Sequence, residues 1–286
     1  MKNYFSRILI PVFFNKDAAS VVSKAIVIAN EFGCDTLLLH VQSNSKLVPF
    51  LQDGHFTKAG FADQFQENER SMEQLVDEHR AGLADGLLIS SMVVPGNWQA
   101  VMKEVIITQH IDLVMIPGHT RKSMEAIMKQ VNINRLSQQT QCPVLTLTGD
   151  FDVNHLHNIV VPVNDFLPVR KLTAATFLAK KFNAMVHLLG QRSNSYTDDK
   201  LNTICLTKAY QLLSEYTNVK IHCTSDKSNT LATDTLEYAR KVQADLIVVN
   251  PGKESLLSGL FNRWLPKDLH RESNIPVLTI SPQPYL

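Results

Sequence analysis

One stretch occurs twice, and its recurrence limits the fold more than any other feature of the chain. Ile111-Asp112-Leu113-Val114-Met115-Ile116-Pro117-Gly118 returns as Ala244-Asp245-Leu246-Ile247-Val248-Val249-Asn250-Pro251-Gly252. Each copy is an acidic residue, an aliphatic run long enough for a buried strand, and then Pro-Gly. A polar, Ser-containing loop and a helix-length segment follow. Each copy then closes on a second matching run, Cys142-Pro143-Val144-Leu145-Thr146-Leu147 and Ile275-Pro276-Val277-Leu278-Thr279-Ile280. The same offset, about 133 residues, separates Asp112 from Asp245 and Pro143 from Pro276, as duplication of a whole strand–loop–helix–strand unit requires. The chain therefore reads as two copies of one domain, residues 1–149 and 150–286.

Hydrophobic spacing fills in the rest. Arg7 to Val12 is a continuous apolar run of the kind found in a sheet covered on both faces. From Asp17 to Phe32 the apolar residues fall at helical spacing, with Gly33 as the stop, and Cys34 to Val41 returns to strand. The first half continues as helix 63–83, strand 87–94, helix 98–109, the repeated strand, helix 124–139 and the closing strand 144–148. The second half repeats this order as strand 158–163, helix 169–182, strand 185–189, helix 200–216, strand 219–223, helix 228–242, the repeated strand, a helix within 256–271 and strand 277–281. Such alternation predicts an α/β fold with an open parallel sheet and helices on both faces. The first half is longer by about 18 residues, and the excess lies in a loop at about 42–62 that holds Leu47, Phe50, Leu51 and Phe56. That segment reads either as a functional lid or as a cover for the edge of its own domain.

Charge and cysteine usage exclude several function classes. With 28 basic and 27 acidic residues the net charge is +1, so neither nucleic acid nor an anionic membrane surface is expected as the main partner. Cys34, Cys142, Cys205 and Cys223 show no Cys-x-x-Cys spacing, which argues for buried free thiols over a zinc or redox site. His155 and His157 are two residues apart but lack a recognisable third ligand, so no metal is assigned. No Gly-x-Ser-x-Gly elbow occurs, and no catalytic residue is assigned. The apolar run from Ile8 is broken by Pro11 and has no cleavage site after it, and no run approaches a membrane span. A soluble, cytoplasmic protein is expected.

Five short motifs, in the same order in both halves, resemble the universal stress protein family. They are Ile8-Leu9-Ile10-Pro11-Val12 and Ile159-Val160-Val161-Pro162-Val163 in the first strands, Leu37-Leu38-Leu39-His40-Val41 in the second, Asp112-Leu113-Val114-Met115 and Asp245-Leu246-Ile247-Val248 in the fourth, and the two closing runs. The resemblance implies two tandem five-stranded sheets in the order 3-2-1-4-5, a fold like that of the adenine nucleotide alpha hydrolases. It also implies that the two last strands pair as an internal pseudo-dimer, that an unknown protein is the partner, and that homodimerisation through other surfaces stays open. Ligands of such sheets bind beyond the carboxyl ends of the strands where the order reverses. That places a crevice at 12–14 and 117–123 in the first half and at 163–165 and 251–255 in the second.

Family members that bind ATP carry an Asp after the first strand, and after the fourth strand Gly-x-x-Gly, nine residues and Gly-Ser or Gly-Thr. Glycines there let backbone N–H groups approach phosphate. This chain departs from the pattern twice. Phe13 stands at the first Asp position, and the loop Gly118-His119-Thr120-Arg121 keeps one glycine, leaving Gly118, Thr120 and Arg121 as a bare anion site at a helix start. In the second half Asn164 still offers an amide to a hydroxyl, and Gly252-Lys253-Glu254-Ser255 keeps one glycine with a lysine beside it. Asn164, Gly252, Lys253 and Ser255 are therefore the candidate binding residues. The leading expectation is a non-catalytic stress-response binding or regulatory module with degenerate nucleotide sites. The alternative is an ATP or AMP sensor using the second half, with Mg²⁺ and with or without slow ATP hydrolysis. An adenylyl-transferring enzyme on a related fold lacks its phosphate motif here.

Overall fold

The structure is a computed structural model that describes residues 4–14, 18–42, 58–118, 130–148, 151–192, 195–227, 231–251, 254 and 275–282. By contact the chain divides into two compact units, Met1–Asn132 and Ile133–Leu286. This division falls earlier than the repeat boundary at 149/150, and the last helix and strand of the first repeat cohere with the second unit.

The first unit contains β1 (Arg7–Pro11), α1 (Ala18–Phe32), β2 (Asp35–Gln42), α2 (Lys58–Arg80), β3 (Ile89–Pro95), α3 (Trp98–Thr108) and β4 (Leu113–Gly118). Its strands lie in the order β3-β2-β1-β4, all parallel. Ile8, Leu9 and Ile10 are wholly buried, as a strand covered on both faces must be. Helix α1 buries Val21, Val22, Ala25, Ile26, Ile28, Ala29 and Phe32 along one stripe. Gly33 ends it at φ 65, a left-handed conformation that costs glycine nothing, and the N–H of Cys34 returns to the carbonyl of Ala29. The predicted loop at 42–62 gives way to helix already at Lys58, and its residues 43–57 lie outside the described ones.

The second unit contains α4 (Ile133–Thr140), β5 (Val144–Thr148), β6 (Asn158–Val163), α5 (Val169–Phe182), β7 (Met185–Arg192), α6 (Tyr196–Tyr216), β8 (Lys220–Lys227), α7 (Leu231–Lys241), β9 (Leu246–Val249) and β10 (Val277–Thr279). The strand order is β5-β10-β9-β6-β7-β8. Strand β10 runs parallel to β9 and antiparallel to β5, with Val277 opposite Thr146 and Thr279 opposite Val144. The hydroxyl of Thr146 donates to the carbonyl of Val277 across that seam. Of the helix expected over 124–139, residues 124–129 lie outside the described ones; α4 begins at Ile133, after Asn132, whose backbone N–H is taken by the side chain of Gln99. Both units are α/β, as the alternation predicted. No helix of the described residues is long and apolar enough to cross a membrane.

The acidic residue of the repeat has a definite task. Asp112 accepts the backbone N–H of Ser6 at 2.8 Å and of Arg7 at 3.1 Å, while its own N–H goes to the carbonyl of Arg7. Asp245 does the same for His157 and Asn158, both at 2.8 Å, and returns its N–H to Asn158. Each carboxylate thus clamps the start of the first strand of its repeat to the fourth and fixes their register. Burial pushes the Asp112 carboxyl above its usual range, and the N–H donors of Arg7 and Ser6 pull it back. Asp112→Ala or Asp245→Ala leaves two donors unpaired and is expected to cost about 1–3 kcal/mol. Asp→Asn, which keeps an acceptor, should cost less, and urea unfolding of the paired variants measures the difference.

Three of the four free cysteines are buried, as expected, but Cys223 on β8 is exposed. Strand β8 ends the order of the second unit with β7 as its neighbour, and residues 222 and 223 lie open on it.

Candidate functional site

The strand order reverses between β1 and β4 in the first unit and between β6 and β9 in the second. The residues just beyond those strand ends form the two candidate crevices.

In the first unit Val12, Phe13 and Phe14 leave the carboxyl end of β1. The ring of Phe13 stacks on Trp98, with centroids 4.2 Å apart and planes 18° apart. Trp98 is the first residue of α3, is buried, and stands edge-on to His40 at 6.0 Å. The cap of α3 explains why the indole lies there: Asn97 accepts the N–H of Ala100 with its side chain and turns the chain from β3 into the helix. His40 Nδ1 donates to the carbonyl of Val12 at 2.9 Å, and Phe14 tilts against the imidazole at 4.4 Å. Burial pushes the His40 pKa down, which the bond to Val12 opposes, and the ring favours its neutral form. The position at which nucleotide-binding members carry an Asp is thus part of an aromatic stack. Gly118 ends β4, while Thr120 and Arg121 lie outside the described residues.

The second crevice is built on a buried ion pair. Lys171, in the first turn of α5, has no exposed surface, and Glu254 is also buried. The ammonium donates to Oε1 of Glu254 at 2.9 Å, to Oε2 at 2.7 Å, and to the carbonyl of Pro162 near the end of β6. Oε2 of Glu254 also accepts the backbone N–H of Asn250, just past β9, at 2.7 Å. Helical spacing puts Lys171 on the same face as Ala174, Ala175 and Leu178, all buried, so the ammonium is carried inward by the apolar side of its helix. Burial pushes the lysine pKa down and the glutamate pKa up, and the pairing of the two opposes both shifts.

Polar groups crowd around this pair. Asn250 donates through Nδ2 to the carbonyl of Ile280 at 2.6 Å. Arg170, next to Lys171, donates to the carbonyls of Ser281 and Gln141 and to the side chain of Gln141. Gln141 takes φ 57 just beyond the end of α4. Several buried acceptors and hydroxyls find no hydrogen-bond partner among the described residues: Asn164 Oδ1, Asn250 Oδ1, Thr279 Oγ1 and Ser281 Oγ. Of the residues expected to bind in the second half, only Asn164 falls within the described part, while Gly252, Lys253 and Ser255 lie outside it. Lys171, Glu254 and Asn250 were missed by the motif reading. The helical spacing of Lys171 was the signal that could have found the first of them.

The histidine pair ahead of β6 is engaged locally. His155 Nδ1 meets Asp152 Oδ2 at 2.7 Å, and His157 Nδ1 bonds to the carbonyl of His155. Among the described residues no group of three His, Cys, Asp or Glu is placed to hold a metal ion.

Comparison with known proteins follows the fold. A universal stress protein from Archaeoglobus fulgidus DSM 4304 superposes with a TM-score of 0.68 at 16% identity, covering 98% of each chain. A protein of unknown function from Pseudomonas aeruginosa PAO1 gives 0.57 at 15% identity, covering 98% of this chain and 94% of its own. At these identities the likeness is one of fold. No curated protein matches the chain. The family model described as the universal stress protein family matches residues 5–147. With half of its length matched in this way, the chain belongs to the universal stress protein family.

Proposed function

We propose that the chain is a tandem universal stress protein that serves as a non-catalytic binding and regulatory module of the stress response, in which neither repeat uses adenine nucleotide in the family's manner. The reading of the second half as a second domain of the family rests on its strand order and on the Asp245 clamp, which matches that of Asp112. The loss of nucleotide binding rests above all on Lys171 and Glu254. A buried, mutually paired ammonium and carboxylate at the strand switch neutralise each other, so the Lys171 ammonium is already engaged by Glu254 and not offered to a phosphate. In the first repeat, Phe13 on Trp98 offers an aromatic face where a ribose hydroxyl needs an acceptor. The module then acts through a protein partner or another small ligand, in the cytoplasm, where its free cysteines stay reduced.

Calorimetric titration of the whole chain with ATP and with AMP, each with Mg²⁺, is the test. No saturable heat at millimolar nucleotide is expected. Saturable binding at one site, weakened by Asn164→Ala or Ser255→Ala, would overturn this reading in favour of a nucleotide sensor in the second repeat. One observation favours that second reading: the buried Oδ1 of Asn164 has no partner among the described residues and is of the type that takes a ribose hydroxyl.

A further inference from the structure

Strand β8 is the outer strand of the second unit, and its free side is weakly guarded. All 8 of its residues pair one for one with β7, Lys220 opposite Met185 and Lys227 opposite Arg192, and β7 is its one neighbour among the described residues. The register holds without a bulge, no proline interrupts the strand, and its lysines stand only at the two ends. Such an edge offers a row of N–H and C=O groups that template a further strand. His222, Cys223 and Ser225 are exposed on it. Ser225 faces α6, since it and Leu206 of that helix both crowd the place that a Cβ on Gly190 would take, at 3.5 and 2.6 Å. By alternation Cys223 shares that face. Helix α6 runs back along the sheet, and four residues of helix span the same length as two of strand, about 6 Å. Tyr210, 43% exposed and four residues after Leu206, therefore lies level with Cys223.

We propose that β8 is the interface of a homodimer, in which a second copy of the chain adds its own β8 antiparallel across a two-fold axis at Cys223. Identical antiparallel strands related by a two-fold axis must be centred on a residue that faces its own copy. Two centres keep most of the strand paired: Cys223 pairs Lys220 through Asp226, and Thr224 pairs Ile221 through Lys227. Centring on Thr224 sets Lys227 against Ile221. Centring on Cys223 sets Lys220 against Asp226 at both ends, opposite charges directly across the pair, and His222 against Thr224. The strand is thus complementary to itself in one register, which favours a second copy over an unrelated peptide. Both α6 helices then lie on one face of the joined sheet, with Tyr210 of each copy level with the axis. The backbone groups of the two edges satisfy one another, and the sheet continues from chain to chain.

The test is sedimentation equilibrium on the full-length chain under reducing conditions, joined to thiol cross-linking. A dimer is expected at roughly 100 µM chain or below. Lys220→Glu or Asp226→Lys turns both end pairs into like charges and is expected to weaken the dimer at least about tenfold. A mixture of these two variants restores opposite charges at both ends and should recover a heterodimer, while Lys220→Glu/Asp226→Lys alone should recover a homodimer. Cysteines facing each other at the axis stand about 4.5–5.5 Å apart at Cα, within disulfide reach. Diamide, which takes up the hydrogens of two thiols as they join, is therefore expected to link the unaltered chain into dimers but not Cys223→Ser, whose three remaining cysteines are buried. A chain that stays monomeric at that concentration overturns the proposal. So does a dimer that both single charge variants leave unchanged, or one that diamide links equally well in Cys223→Ser. The cross-link is read on the unaltered chain and decides even where a charge variant fails to fold.

Discussion

Lys171→Met is expected to cost about 3–5 kcal/mol of folding stability, because it strands the buried carboxylate of Glu254 without its cation. Lys171→Met/Glu254→Met should recover most of that loss. What remains, about 1–3 kcal/mol, comes from the Asn250 N–H and the Pro162 carbonyl, which each lose a partner. The double variant is therefore expected to be more stable than the single one, as the coupling of the two charges requires. The pH dependence follows from the direction of the glutamate shift. Burial already holds the Glu254 pKa above its ordinary 4.5, and loss of Lys171 removes an interaction that lowers it. A group whose folded pKa is raised contributes stability at low pH and loses it as pH rises through the folded value. The deficit of Lys171→Met should accordingly grow with pH above about 4.5. Urea unfolding of the three chains at several pH values measures all of this, and a single variant that matches the unaltered chain at pH 7 would show that the pair is not buried in solution.

Trp98→Ala is expected to cost about 3–5 kcal/mol, the range for removing a large aromatic side chain from a packed site. Trp98 is 4% exposed and supports Phe13 on its face and His40 at its edge, so its loss leaves a cavity shared by the ends of β1 and β2. Trp98→Phe keeps an aromatic face for Phe13 and should lose less than half as much. Equilibrium unfolding followed by far-UV circular dichroism separates the two variants. A cost below about 1 kcal/mol for the alanine variant would mean that Trp98 is not packed in solution as it is in the structure. Neither variant is expected to gain nucleotide binding, because Phe13 remains where an acceptor is required.

The fold was legible because its signals are local and came twice. The aliphatic runs gave the strands, and the bounds 158–163 and 169–182 agree with β6 and α5. The matching registers of Ile8 with Leu113 and of Ile159 with Leu246 reproduce the repeat in space. The task of the repeated aspartates was not legible, since Asp112 and Ser6 meet only after 105 intervening residues have folded. The site divides in the same way. Phe13 could be read as a departure from a pattern, but the partner of its ring comes from α3, far along the chain. Attention to glycines also led past Glu254, an unremarked position in Gly252-Lys253-Glu254-Ser255, whose cation lies 83 residues earlier. Lys171 was accessible in principle, because a lysine at the helical spacing of Ala174, Ala175 and Leu178 must either distort its helix or find a buried anion.

The seam between β5 and β10 separates what was copied from what coheres. The repeat read from the sequence ends near residue 149, yet β5 lies within the second compact unit, bonded to β10. A gene split at the copy boundary would hand its downstream product a strand, β10, with one side bare, and bare strand edges recruit whatever strand is nearest. The β5–β10 pairing, together with the bonds of Arg170 to Gln141, joins residues from the two halves of the sequence.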